Sequence, residues 1–282
     1  DGFKYNDASH WNGGAMHISH DQGFGVVDAH AAVRLAETWH HAPLTADNEI
    51  SIITSQQSNT PIPDDHSSGI TSSTLIERDI NTEWAEVELD IAHSRLADLE
   101  VELISPGGTV AKLIDRPTVS SKQPGGRSDL GQRLVFNTSA SLFRGESSVG
   151  EWTLRLRDRA SGETGELRNW GLKLHGSNQT DDDLYVFTDE FAKLANHSRS
   201  YLRDRDQWKT DRETPKLDGG TDTINAAAVS TASRINLTPG SSSSIAMQRL
   251  SISSDSTIEH AFSGDGDDVL IGNQADNHLD GG

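Results

Sequence analysis

The last nineteen residues of the chain, GDGDDVLIGNQADNHLDGG (264–282), set glycines, carboxylates and amides at a spacing suited to one chemistry, the coordination of a hard cation. Written as 263–271 above 272–280, they repeat with a period of nine. Leu270 and Leu279 then fall in register, and Gly281-Gly282 begins like a third copy. Glycine accepts positive φ without strain, so a turn rich in it can aim successive carbonyl oxygens to one side. Asp268, sixth in the first copy, adds a carboxylate. Calcium takes six to eight such oxygens. The second copy is poorer in ligands, with Ala275 at its fourth position and Asn277 at its sixth.

This pattern resembles the G-G-x-G-x-D-x-U-x nonapeptide of RTX proteins, which winds into a calcium-binding parallel β-roll. The resemblance implies a calcium site at Gly264, Asp265, Gly266 and Asp268, with the eighth-position leucines packed inside the roll. It also implies that an ion lies between one turn and the turn two copies later. The partner of the Asp268 turn is then the one Gly281 opens, so a weak site is expected there. A flexible Gly/Asp linker is the alternative, and the leucine register argues against it.

Other chemistries lack their residues. Serine catalysis needs a nucleophile, a His base and an Asp orienter. The settings D-S/T-G, H-G-T and G-T-S-x-A/S-P are all missing, as are G-x-S-x-G and H-E-x-x-H, and SGITSST (68–74) is only superficially similar. With no cysteine, thiol catalysis, disulfides and Cys-based zinc sites are excluded. His10, His17, His20, His30, His40 and His41 fit no common zinc spacing. Asp98, Asp115 and Asp158 stand at strand ends, where Asp is a common turn former; a shared calcium is the alternative. The net charge of −19 repels phosphate backbones, so no nucleic-acid partner is expected. No apolar run approaches the length of a membrane span.

The elements that must hold these residues differ along the chain. Val26, Val27, Ala31, Val33, Leu35, Ala36 and Trp39 carry a helical spacing between Gly25 and Pro43, which predicts a helix over about 26–39. From 43 to 177 the helical period disappears. WAEVELDIA (84–92), DLEVELISP (98–106), QRLVF (132–136), EWTLRLRD (151–158) and NWGLKLHG (169–176) alternate apolar and polar residues between Gly/Pro turns, as in a β-sandwich or jelly roll. Trp84, Trp152 and Trp170 belong to its core or rim. Residues 178–282 open on an acidic joint, SNQTDDD. A short helical or mixed stretch (VFTDEFAKLA), a charged loop, and short strands such as RINLT (234–238) and RLSIS (249–253) follow.

Three longer regions carry family resemblances. SHDQGFGVVDAHAAVRLAETW (19–39) resembles the end of the catalytic domain of kexin-like, subtilisin-related serine proteases. IERDINTEWAEVELDIAHSRLADLEVELISPGGTVAKL (76–113), SSVGEWTLRLRD (147–158) and GELRNWGLKLHG (165–176) resemble the P, or Homo B, domain that follows it in kexins. LDGGTDTINAAAVSTASRINLTPGSSSSI (217–245) and STIEHAFSGDGDDVLIGNQADNHLDGG (256–282) resemble the C-terminal domain of serralysin-type secreted proteases. That last likeness implies a second calcium site at Gly219, Gly220, Asp222, Thr257 and Glu259. A further acidic ligand of the family falls on Leu217, so the site loses it or shifts to Asp218.

The resemblances imply a mainly β chain: a catalytic-domain remnant ending in a helix (1–42), a jelly-roll P domain (43–177), and a serralysin-like domain opening a calcium-binding parallel β-roll (178–282). They imply calcium as cofactor, an upstream catalytic domain of the same polypeptide as partner, and a bacterial, secreted, extracellular setting. The expected function is that of the non-catalytic C-terminal region of a calcium-dependent serine endopeptidase, inactive alone. A secreted adhesion or carbohydrate-binding module on the same sandwich is the alternative.

Overall fold

The computed structural model describes residues 12–14, 16, 18–20, 23–39, 45–117, 133–191 and 219–282. Its contacts gather into two compact bodies, one of residues 1–26 and 43–179, the other of 27–42 and 180–282. The segment 1–42 is thus shared between them.

The described strands of the first body are β1 (Ile50–Ile62), β2 (Ile70–Ile76), β3 (Ile80–His93), β4 (Leu99–Ile104), β5 (Val110–Asp115), β6 (Leu134–Ala140), β7 (Gly150–Asp158) and β8 (Gly165–Asn178). They form two antiparallel sheets, ordered β1-β8-β3-β6 and β2-β7-β4-β5. Alternation sends Val87, Leu89 and Ile91, Leu99, Val101 and Leu103, Trp152, Leu154 and Leu156, and Trp170, Leu172 and Leu174 into one buried core. Each such side chain is worth roughly 1.5–3 kcal/mol when fully buried. The two core indoles are satisfied, Trp152 donating to the Ser148 carbonyl at 2.8 Å and Trp170 to the Ser72 hydroxyl at 2.9 Å. Trp84 is half-buried and stacks on His175, ring centroids 4.0 Å apart.

Between strands, Glu100 faces Arg157 and Glu102 faces Arg155 across β4 and β7. Arg133 clamps Asp90 with two bonds of 2.8 Å, and this cation holds the Asp90 carboxyl below its ordinary range. The N-terminal segment is pinned to the same body. Asn12 donates to the carbonyls of Leu142 (2.8 Å) and Arg144 (2.7 Å), and the Gly13 N–H meets Glu146 at 3.0 Å. A β-carbon at Gly14 would lie 2.4 Å from the Gly145 backbone, so no other residue fits.

The second body contains α1 (Ala29–Glu37), β9 (Leu184–Thr188), β10 (Thr223–Ala228), β11 (Arg234–Asn236), β12 (Ser242–Ile245), β13 (Gln248–Ser251), β14 (His260–Phe262), β15 (Val269–Ile271) and β16 (His278–Asp280). One sheet runs β16-β14-β10-β9, all parallel. In the other, β15 pairs parallel with β11, which continues into the antiparallel hairpin β12–β13. The chain alternates between the sheets, β10 to β11 and β14 to β15 to β16, which is the winding of a roll. Ile224, Ala226, Ile235, Leu237, Ile245, Ile258 and Ala261 fill its interior.

Several elements depart from expectation. The helix begins at Ala29 because Asp28 caps it, accepting the Ala31 N–H at 3.0 Å, and it stops at Glu37. It packs against β10, with Asn225 donating to the Thr38 hydroxyl at 2.9 Å. The stretch read as helical or mixed at 186–195 is strand through Thr188, because β9 pairs with β10; residues 192–195 lie outside the described residues. Leu270 packs on the core, whereas Leu279, on the edge strand β16, is 38% exposed.

Candidate metal sites at the two edges of the roll

The segments that enter β10, β14 and β16 line one edge of the roll. Gly219 and Gly220 turn the chain with φ of 128° and 91°, and a β-carbon at Gly220 would lie 2.1 Å from the Asp181 carbonyl. That close approach brings 181–183 alongside 219–222. Asp182 accepts the Thr221 N–H at 2.6 Å, and buried Asp222 accepts the Asp183 N–H at 2.7 Å. On its other side the Asp222 N–H donates to Glu259 at 2.7 Å, while its carbonyl accepts from Glu259 (3.0 Å) and His260 (2.9 Å). Burial, followed by the charges of Asp183, Glu259 and Asp182, raises the Asp222 carboxyl to about 6. Four carboxylates thus share one edge.

Of the residues expected here, Gly219, Gly220, Asp222 and Glu259 come together. Thr257 is exposed, two residues ahead of Glu259. Leu217 and Asp218 lie outside the described residues. Asp182 and Asp183 are additions; their signal was the Asp run at 181–183, read as a solvated joint.

The segments that leave the parallel strands form the opposite edge. The turn 263–268 rests on 229–233: the Asp265 N–H donates to the Val229 carbonyl at 3.0 Å, and Asp268 accepts the Ser233 N–H at 2.6 Å. A β-carbon at Gly264 would lie 2.2 Å from the Val229 carbonyl, so this contact requires glycine. The second Asp268 oxygen and the hydroxyls of Thr231 and Ser263 are buried without a hydrogen-bond partner. Such oxygens suit a hard cation, since leaving them unpaired costs about 1–3 kcal/mol each. Asp265 turns elsewhere, toward Arg34 (3.7 Å) and His30 (3.6 Å). On the C-terminal side the Ser263 N–H donates to the Asp280 carbonyl at 2.9 Å. Residues 229–233 carry no glycine signature, so nothing in the sequence marked them as a wall of this edge.

Among the described residues no three His, Asp or Glu side chains already converge as a preformed cation cage. The carboxylates instead accept backbone N–H groups, so a bound ion would need some of these bonds to be exchanged. In the sandwich the three strand-end aspartates have basic partners: Asp158 lies 3.2 Å from His93, Asp98 3.3 Å from Arg95, and Asp115 3.1 Å from Lys112. Asp98 and Asp115 line a shallow cavity of about 420 Å³ with Arg116 and Arg159.

Comparison with known proteins picks out two stretches of the chain. Residues 82–174 match the family described as Proprotein convertase P-domain, and residues 178–279 match Peptidase M10 serralysin C terminal. The chain is thus similar to a convertase P domain over 82–174 and to a serralysin-type C-terminal region over 178–279. Similar proteins include Proprotein convertase subtilisin/kexin type 6 of Rattus norvegicus, 32% identical over 188 residues, covering 60% of this chain and 18% of that protein. Kexin of Saccharomyces cerevisiae is 28% identical over 194 residues, covering 66% and 23%. The Aeromonas extracellular serine protease of Aeromonas sobria is 30% identical over 162 residues, covering 54% and 25%. In the crystal structure of the Aeromonas sobria serine protease with a chaperone, the likeness has a TM-score of 0.52 at 25% identity, over 60% of this chain and 33% of that one. The chain therefore spans about a fifth of the length of the curated relatives it matches. Among the described residues no helix is long and apolar enough to cross a membrane.

Proposed function

We propose that this chain is the non-catalytic C-terminal region of a secreted, calcium-dependent, kexin-like serine endopeptidase. In this reading 1–42 is the end of a catalytic domain, 43–177 the P domain that stabilises it, and 178–282 a roll that calcium folds outside the cell. A bacterial source is part of the proposal. The observation that carries the calcium role is the gathering of Asp182, Asp183, Glu259 and Asp222, whose carboxyl is raised to about 6. A divalent cation there would remove the repulsion and turn its binding energy into folding energy. Gly219, Gly220, Asp222, Thr257 and Glu259 form the proposed first site; Gly264, Asp265, Gly266 and Asp268, with Thr231 and Ser263, form the second.

The first site carries more negative charge and should bind more tightly. At the second, the one carboxylate with a free buried oxygen is Asp268, and Asp265 is engaged by Arg34 and His30. Calorimetric calcium titration of Asp222→Ala and Asp268→Ala is the test. The tighter event should vanish with the Asp222 change and persist with the Asp268 change. The reverse would refute the assignment.

A further inference from the structure

The turn 272–277 stands on the same edge of the roll as the Asp222 cluster, next after Glu259, yet it is held by a different device. The Asn273 amide nitrogen donates to the carbonyls of Ile258 (2.8 Å) and Leu237 (3.1 Å). The Asn277 amide nitrogen donates to the Glu259 carbonyl at 3.1 Å and to the Asn273 side-chain oxygen at 2.9 Å. The two side-chain oxygens are used as well: Asn277 accepts the Asn273 N–H at 2.7 Å, and Asn273 accepts the Ala275 N–H at 2.9 Å. A β-carbon at Gly272 would lie 2.2 Å from the Asn277 oxygen, so glycine is required to let the amide in.

Three backbone carbonyls from two neighbouring coils therefore converge on two amide groups. Converging carbonyls are what a cation would gather in such a turn. An amide's NH₂ supplies the same positive end without charge, and because its oxygen accepts, the group as a whole, unlike a carboxylate, both donates and accepts. We propose that Asn273 and Asn277 are an amide staple in place of an ion, so that the coil entering β16 is ordered without calcium while the Asp222 edge waits for it. The calcium half of this statement rests on the function proposed above; the staple itself does not. A carboxylate at 277 would set acceptor against acceptor, at the Glu259 carbonyl and the Asn273 oxygen, and would need a cation between them.

Hydrogen exchange on the full 282-residue chain tests this in chelator and in millimolar calcium chloride. In the unaltered chain the amides of Asn273, Ala275 and His278 should be protected equally in both. Asn277→Asp should lower their protection in chelator by tenfold or more and recover it in calcium. Asn277→Ala should lose it in both, which separates lost packing from created cation dependence. The staple is overturned if these amides are protected in the unaltered chain only when calcium is present, or if Asn277→Asp leaves them protected in chelator. Failure of the calcium reading shows elsewhere, as Asp222 and Thr223 amides that ignore calcium.

Discussion

Asp222 is the residue on which the account leans most, and its chemistry gives a signed prediction. Its carboxyl is raised to about 6 from an ordinary value near 3.8, so the folded roll holds a proton that the unfolded chain releases between those values. The cation-free roll should therefore lose stability as pH rises from 4 to 6 and change little from this group above 6. Calcium must displace that proton. Apparent affinity should fall on the order of tenfold per pH unit below 6 if one proton is exchanged. Calcium titration at pH 5 and pH 7.5 checks it, and an affinity independent of pH would remove Asp222 from the ligand set. The resemblance to serralysin-type sequences pointed to Asp222 and Glu259 by residue. Asp182 and Asp183 escaped because an acidic run beside a linker has the composition of solvated chain, and only the backbone turn at Gly220 brings it beside Asp222.

Among the elements, strands with an apolar inner face were legible and strands with a polar one were not. β7 reads directly as EWTLRLRD, with Trp152, Leu154 and Leu156 buried. β1 did not, because Thr54, Gln56, Ser58 and Thr60 occupy its inner face between Ile52 and Ile62, and Gln56 is satisfied by Thr74 at 2.9 Å. The helix was seen too long since apolar spacing ignores the Asp28 cap. Pairing in parallel over three residues, as β14, β15 and β16 do, leaves almost no periodic signal. The N-terminal strap was invisible for a related reason: its role lies in amides and glycines. Asn12→Ala should destabilise the sandwich by about 1–3 kcal/mol, since the carbonyls of Leu142 and Arg144 lose their donor. Thermal unfolding with exchange at the Met16 amide measures it. No change in either would mean the strap only rests on the surface.

At the scale of the whole molecule, the likenesses to a convertase P domain and to a serralysin-type C-terminal region were both legible in the sequence, which carries no Ser-His-Asp setting. The chain by itself should cleave no casein-type substrate, and serine-inhibitable cleavage by pure material would overturn that. With a net charge of −19, the folded chain is under self-repulsion that divalent cations relieve. The two bodies should feel this unequally. The sandwich has a continuous apolar core with its three strand-end aspartates already paired to Arg, His or Lys, whereas at the Asp222 edge of the roll Asp182, Asp183, Asp222 and Glu259 come together. Hydrogen exchange resolved along the chain, with calcium and with chelator, tests this most directly. The amides of Asp222, Thr223, Glu259 and His260 should gain protection of tenfold or more in calcium, while those of β3, β7 and β8 stay the same. Equal protection of the roll in both conditions would contradict the account.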